Sequence, residues 1–255
     1  MSFERRQKIL ELLRQKGAVS LKELEKIFTE VSSMTLRRDL EYFETVGEAV
    51  RIKGGIRYIK SLPGAGREDL YEQRLAQNQE AKNGIARIAA GYISAGRSIF
   101  LDSGTTLMTL AKGLPDIHLS ILTSAPNIAL EISKRYAPTV NLIGGLVNRE
   151  TLSVSGMQSM DFVEHLNFDL AVMAPSAFTV DTGFTCGNYS ECELKKRIIK
   201  KAKQTIMLVD SSKFGHTMPF TFALLEEIDI LITEKEPSEE LRNAAQKQNV
   251  EVRWK

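Results

Sequence analysis

At 255 residues, 43% hydrophobic and 26% charged, the chain reads as an ordinary globular protein with material for one large core or two domains. No apolar run approaches a bilayer span, and the opening MSFERRQKIL lacks the apolar core of a signal peptide, so a cytoplasmic protein without membrane contact is expected. The net charge of +2 excludes a bulk polycation, and two cysteines six apart, Cys186 and Cys192, suit neither a disulfide framework nor a metal site.

The charge is unevenly shared. Residues 1–60 hold 13 Lys and Arg against 9 Asp and Glu, while the remainder holds 21 against 23. In this basic segment Ile9, Leu12 and Leu13 mark an amphipathic helix that ends at Gly17. Ser20 with Glu23 forms a capping box and Val19 with Leu24 a hydrophobic staple, which predicts a second helix from Leu21 to about Phe28. A third begins at Ser33, with Ser32 as its N-cap and Val31 stapled to Leu36. Leu36, Leu40 and Phe43 form its apolar stripe, and Met34, Thr35, Arg38 and Glu41 lie opposite, with Arg37 on the flank. A short helix pinned by its apolar side and showing arginine outward suits a DNA major groove. Taken alone, it fits an ordinary helix with a solvated basic face better.

Its surroundings shift that balance. After Gly47 the residues alternate, Val50 and Ile52 against Arg51 and Lys53, then a Gly54-Gly55 turn and Ile56, Arg57, Tyr58, which predicts a β-hairpin. Arg51, Lys53 and Arg57 share its exposed side, placed for a phosphate backbone or simply protecting a solvated edge. Three short helices and a basic hairpin make a winged helix-turn-helix, with Ser33, Met34, Thr35, Arg37 and Arg38 expected on the reading face. The segments RRQKILELL, VSSMTLRRDLEYFETVG and VRIKGGI closely resemble the N-terminal domain of the DeoR family of bacterial transcriptional regulators, over nearly all of residues 3–57. The resemblance implies repressor-type binding of double-stranded operator DNA, with Arg37 and Arg38 at the family's arginine pair.

Ser61–Gly66 (SLPGAG) has linker composition, which divides the chain into a DNA-binding domain 1–60, a linker 61–74 and a larger domain 75–255. In the larger domain apolar strands alternate with helices: SIFLD, LSILT, VNLIG, DLAVMA, TIMLVD, DILIT and VEVRW are strand-like. A helix is expected from about Glu191, capped by Ser190 with Glu193. The fold class is therefore α/β, a mainly parallel sheet covered on both faces, which binds ligands beyond the carboxyl ends of its strands. The most informative loop is LDSGTT, where a strand runs through Ser103, Gly104, Thr105 and Thr106 into a helix whose first N–H groups are unpaired. That is a plausible phosphate cradle, though a lone G-T-T is also a common strand-to-helix turn. Without a Walker lysine or a G-x-G-x-x-G spacing, no nucleotide or other cofactor is indicated. Thr123-Ser124, Gly144-Gly145 and Asp210 with Lys213 follow other strands and are expected to converge on one pocket.

LDSGTT, Gly144-Gly145, S-x-x-E-L-K-K at Ser190–Lys196 and VDSSKFG at Val209–Gly215 resemble the DeoR family's C-terminal sensor domain, across about residues 75–235. The resemblance implies a fold related to ribose-5-phosphate isomerase and an effector that is a phosphorylated sugar or a related metabolite. It places Ser103 to Thr106 on the phosphate and Asp102, Thr123, Glu193 and Lys213 around the pocket. Many members have asparagine where this chain has Ser124. The alternative function is a sugar-phosphate isomerase carrying a DNA-binding domain. In the related isomerases acids follow the strand matching DLAVMA and a lysine lies in the next glycine-rich turn; here MAPS (Met173–Ser176) and TCGN (Thr185–Asn188) supply neither. The expectation is a non-enzymatic repressor of a sugar-metabolism operon, released from its operator by the effector and acting as a symmetric homo-oligomer on paired half-sites.

Overall fold

The computed structural model describes residues 2–45, 49–52, 54–58 and 70–254. The chain forms two compact units, residues 1–67 and 68–255. Lys53 and the SLPGAG segment lie outside the described residues.

In the first unit the order is α1 (Ser2–Lys16), β1 (Ala18–Ser20), α2 (Leu21–Ile27), α3 (Ser33–Thr45), β2 (Ala49–Ile52) and β3 (Gly55–Tyr58). Gly17, at φ 73°, closes α1 by donating to the Leu13 carbonyl. The capping box at Ser20 and Glu23 is formed in both directions. At α3 the Thr35 amide donates to Ser32 Oγ at 3.2 Å. Ile9, Leu13, Leu24, Leu36, Leu40, Phe43 and Ile56 close one core. The strand β1, absent from the sequence reading, pairs antiparallel with β3, giving a three-stranded sheet in the order β1-β3-β2. Of the two glycines expected in the turn, Gly55 lies in β3, where it pairs with Ile52, and a Cβ on it would lie 2.2 Å from the Val19 carbonyl of β1. The glycine there is required by the third strand.

The second unit is built on a seven-stranded sheet, β15-β14-β12-β9-β4-β5-β6, all of whose ladders are parallel. Its strands are β4 (Ser98–Leu101), β5 (Ser120–Thr123), β6 (Thr139–Leu142), β9 (Leu170–Met173), β12 (Thr205–Leu208), β14 (Ile230–Ile232) and β15 (Glu251–Arg253). Alternate residues of each strand enter two cores. Ile99, Leu101 and Val172 meet α5 (Gln79–Ala90), α6 (Thr105–Gly113) and α7 (Pro126–Ile132), while Phe100, Ala171 and Met207 meet the opposite face. That face holds α8 (Met157–Glu164), α9 (Tyr189–Lys201), α10 (Glu239–Lys247) and a small antiparallel sheet of β10 (Ala177–Thr179), β11 (Gly183–Cys186) and β13 (Phe220–Ala223). A hairpin, β7 (Leu146–Asn148) with β8 (Ser153–Ser155), follows β6. Neither small sheet was expected, because their strands are short and without periodicity. The cap of α9 also differs from the sequence reading: Asn188 accepts from the Glu191 amide at 3.0 Å, and the helix starts at Tyr189. Residues 71–74, read as linker, open α4 (Tyr71–Ala76), where Tyr71 is buried.

Strand order decides where a ligand can enter. From β4 the chain proceeds to β5 and β6 on one side, then crosses to β9, β12, β14 and β15 on the other. The crevice beyond the carboxyl ends of β4 and β9 is the switch point, the place where parallel sheets of this kind accept ligands.

Candidate functional site

In the first unit α3 turns a mainly polar face outward, with Met34 and Tyr42 among its exposed residues. Arg37, Arg38 and Met34 are exposed, and among the described residues neither arginine has an ion-pair partner. Ser33 donates to Glu25 at 2.6 Å, tying α3 to α2, and Thr35 is half-buried at the helix start. The following Asp39 does the opposite job. It is buried, and its two oxygens accept from Arg5 Nε and Arg6 Nε at 2.5 and 2.8 Å, while the Arg6 guanidinium lies 3.9 Å over the Tyr42 ring. An acid that locks α1 to α3 keeps the two preceding arginines facing away from the core. On the small sheet Arg57 is exposed between the buried Ile56 and Tyr58, and Arg51 lies 3.5 Å from Glu41.

The second unit holds a narrow, polar cleft at the switch point, lined from the end of β4, α4, α9 and the loop after β12. Its floor is the loop after β4. Gly104, at φ 121°, precedes α6, whose first internal bond runs from the Met108 amide to the Gly104 carbonyl, so the Thr105 and Thr106 amides have no partner within the helix. A residue with a Cβ would be strained at that φ. Arg74, Lys82, Lys195 and Lys213 line the cleft against Glu191 and Asp210, an excess of two positive charges. Lys195 is buried on α9, where it donates to Asp102 and, at 2.9 Å, to the Ala174 carbonyl. Burial opposes its charge, but the Asp102 and Glu191 carboxylates outweigh that and hold its pKa above the usual lysine value. Asp102 also accepts from the Ser103 and Ala174 amides at 2.8 and 3.1 Å, so one carboxylate joins the ends of β4 and β9 to α9. Lys82 is buried under the strap that connects α4 to α5. It donates to the Arg74 carbonyl and, at 2.6 Å, to the Gln77 carbonyl, and burial lowers its pKa. Asn78 pins the same strap to Asp210 and Ser212 at 3.3 and 3.2 Å.

Of the residues singled out from the sequence, Ser103, Gly104, Thr105, Thr106, Asp210 and Lys213 line this cleft, and Asp102 lies directly behind Lys195. Thr123, Ser124, Gly144 and Gly145 do not line it, since β5 and β6 lie on the far side of β4 from the switch point. The Thr123 hydroxyl accepts from the Ala125 amide, the Ser124 carbonyl accepts from Val154, and Gly144 and Gly145 pack against Ser159 of α8. Glu193 pairs with Lys196 at 3.1 Å instead, because α9 turns Glu191 and Lys195, four residues apart, inward together. Arg74, Asn78, Lys82, Thr151, Glu191, Lys195 and Ser212 were not anticipated. Lys82 and Lys195 carried a signal: each falls on an apolar stripe, with Ile85 and Ala89 or with Ile198. Among the described residues no cluster of His, Cys, Asp and Glu could hold a metal, and no helix is long and apolar enough to cross a membrane.

The DeoR C terminal sensor domain matches residues 77–235, and the DeoR-like helix-turn-helix domain matches residues 5–62. The chain belongs to the DeoR family. Among its relatives are the HTH-type transcriptional regulator GlpR of Haloferax volcanii, 34% identical over 91% of this chain and 89% of that protein, and GolR of Listeria innocua, 32% identical over 91% and 90%. The HTH-type transcriptional repressor GlcR of Bacillus subtilis is 30% identical over 98% and 95%. A ribose 5-phosphate isomerase from Methanocaldococcus jannaschii has a TM-score of 0.40 at 15% identity, covering 54% of this chain and 55% of that one. As a DeoR-family member the protein is a DNA-binding transcriptional regulator with a sensor domain, and the enzyme alternative is not favoured. The exposed arginines of α3 belong to the helix-turn-helix part and the cationic cleft to the sensor part.

Proposed function

We propose that this DeoR-family protein represses a sugar-metabolism operon and is released from its operator when a phosphorylated sugar occupies the cleft beyond β4 and β9. The observation that carries this reading is the meeting of four cationic side chains with the open N-terminus of α6 at the switch point. Helix amides and an excess of positive charge favour a phosphate, and the buried Glu191 beside Ser103 offers a carboxylate to sugar hydroxyls. In the DNA-binding unit, Ser33, Met34, Thr35, Arg37 and Arg38 enter the major groove, while Arg51, Lys53 and Arg57 meet the flanking backbone. One winged domain contacts few base pairs, so paired half-sites and a homo-oligomer acting in the cytoplasm belong to the same reading. Relatives named for repression, GlcR and a putative aga operon transcriptional repressor, support repression as the direction of control.

A thermal-shift screen tests the cleft. Hexose and pentose monophosphates are compared with the unphosphorylated sugars and with inorganic phosphate. One sugar phosphate is expected to raise Tm with the logarithm of its concentration and to release a fluorescent operator duplex. If none of the phosphorylated compounds raises Tm, the cleft is not a sugar-phosphate site.

A further inference from the structure

Residues 136–148, YAPTVNLIGGLVN, contain no charged side chain, and of these thirteen only Ile143 is buried. Two other uncharged stretches longer than ten residues, 119–130 and 170–180, are largely buried, while a further one, 214–225, belongs in part to β13. The exposed stretch contains β6, one edge of the seven-stranded sheet. At the opposite edge, β15 carries the exposed, ion-paired Glu251 and Arg253, the usual protection of an edge against further pairing. β6 has no such protection. The strip exposes Tyr136 (98%), Leu146 (78%), Leu142 and Val147, and α8, whose Ser159 donates to the Gly144 carbonyl of the strip, adds the exposed Met157 and Phe162.

The backbone of this edge is complementary to itself. Thr139 and Ile143 turn their amides inward, donating to the Leu119 and Thr123 carbonyls at 2.8 and 3.0 Å. With the two-residue alternation of a strand, Val140 and Leu142 turn both their amides and their carbonyls outward. These two residues are symmetric about Asn141, so a second copy rotated by 180° presents a matching set of donors and acceptors.

We propose that β6 is the dimerisation edge of this protein: two copies join their sheets antiparallel across a two-fold axis at Asn141, with Val140 of each opposite Leu142 of the other. Four backbone hydrogen bonds form, and two seven-stranded sheets become one continuous sheet. Tyr136 and Leu146, the two most exposed apolar side chains of the strip, lie on either side of β6 in the chain. The six apolar side chains leave on the order of 780 Å² exposed, taking ~200 Å² for a fully exposed large side chain, an upper bound comparable with the ~800 Å² per partner of a standard interface. A second copy suits this surface better than an unrelated partner because the edge is self-complementary and uncharged. The pairing deepens the operator-binding reading, on which its use in placing two reading helices rests, but the surface itself is tested without DNA.

The experiment uses the full chain. Sedimentation velocity is run on the wild type and Leu142→Lys, which places a charge on the edge. Asn141→Cys and, on the opposite edge, Glu251→Cys are treated with diamide, which oxidises paired thiols to a disulfide. Cys186 and Cys192 are buried and stay out of this chemistry. The expected result is a wild-type dimer or larger assembly, a Leu142→Lys monomer with unchanged far-ultraviolet circular dichroism, and a covalent dimer from Asn141→Cys but not from Glu251→Cys. A monomeric wild type would assign the strip to another protein and overturn the proposal. So would Leu142→Lys that keeps the wild-type assembly, or Asn141→Cys that fails to cross-link. Should Leu142→Lys not fold, the cysteine pair decides. A wild type that dimerises through Asn141 yet binds no operator would sink the regulator reading and leave the edge standing.

Discussion

Replacing Lys195 by methionine tests whether the buried ion pair behind the cleft holds the sensor unit together. Methionine has nearly the volume of lysine, so the change removes charge and hydrogen bonds while leaving the packing. Asp102 would then be buried with only the Ser103 and Ala174 amides as partners, and Glu191 would lose its neighbouring cation. Removing one member of a buried pair costs about 3–5 kcal/mol, because the remaining charge is neither hydrated nor balanced. For a unit of this size each kcal/mol lowers Tm by about 2–4 °C, so a fall of roughly 6–20 °C is expected. Adding Asp102→Asn to the methionine variant removes the stranded charge and should restore about half of the loss, a coupling that a double-mutant cycle measures directly. The single tryptophan, Trp254, directly follows β15 and reports on this unit, so urea unfolding followed by its fluorescence is the assay. The pH dependence has a definite sign. Lys195 has a folded pKa above 10.5, so its contribution is fully present below 10.5 and is lost as pH rises through the higher folded value. The gap between wild type and Lys195→Met should therefore stay constant from neutral pH to about 10. A cost below ~1 kcal/mol for Lys195→Met, or a double variant weaker than both singles, would refute the reasoning.

Arg38→Ala should weaken operator binding by about 1–3 kcal/mol and relax preference at one base pair, whereas Arg57→Ala should weaken all sequences alike and flatten the salt dependence by about one unit. Anisotropy titrations over a salt series distinguish the two, and unchanged affinity in both would exclude the winged-helix surface. Lys213→Ala should cut the affinity of the sugar phosphate found by thermal shift while leaving ligand-free operator binding near wild type, and Thr105→Val should do so more mildly. Equal ligand-driven release from these two and the wild type would move the effector site elsewhere. Burial lowers the Lys82 pKa from 10.5, and a bound anion favours its charged form, so sugar-phosphate affinity should fall as pH rises through that lowered value. Calorimetry of Lys82→Met should show a weaker but flatter pH profile; an identical slope would assign the titration to another group.

The helices and strands of this protein are largely legible in its residues, because caps and apolar periodicity are local. Ser20 with Glu23 and the stripe of Leu36, Leu40 and Phe43 act within a few residues of themselves, and each is found where its spacing places it. The loop through Gly104 is legible for the same reason: a strand, a glycine and two threonines before a helix form one continuous segment. Strand order is a different matter. From one chain Thr123-Ser124 and Gly144-Gly145 look equivalent to Ser103–Thr106, since all follow strands, but only tertiary pairing sets β9 and β12 on the side of β4 where the crevice opens. The cationic lining has the same origin. Arg74, Lys82 and Lys195 come from segments far apart in sequence and meet because the sheet and its helices bring them together; a lysine on an apolar stripe announces a buried partner without saying which carboxylate, some 93 residues away in the case of Lys195 and Asp102, will supply it. Sequence alone therefore determined the capped helices, the strands of the large sheet and the family, since these rest on contiguous patterns, while the short strands of the smaller sheets, the membership of the cleft and the identity of the unprotected edge were decided by long-range pairing that no local pattern encodes.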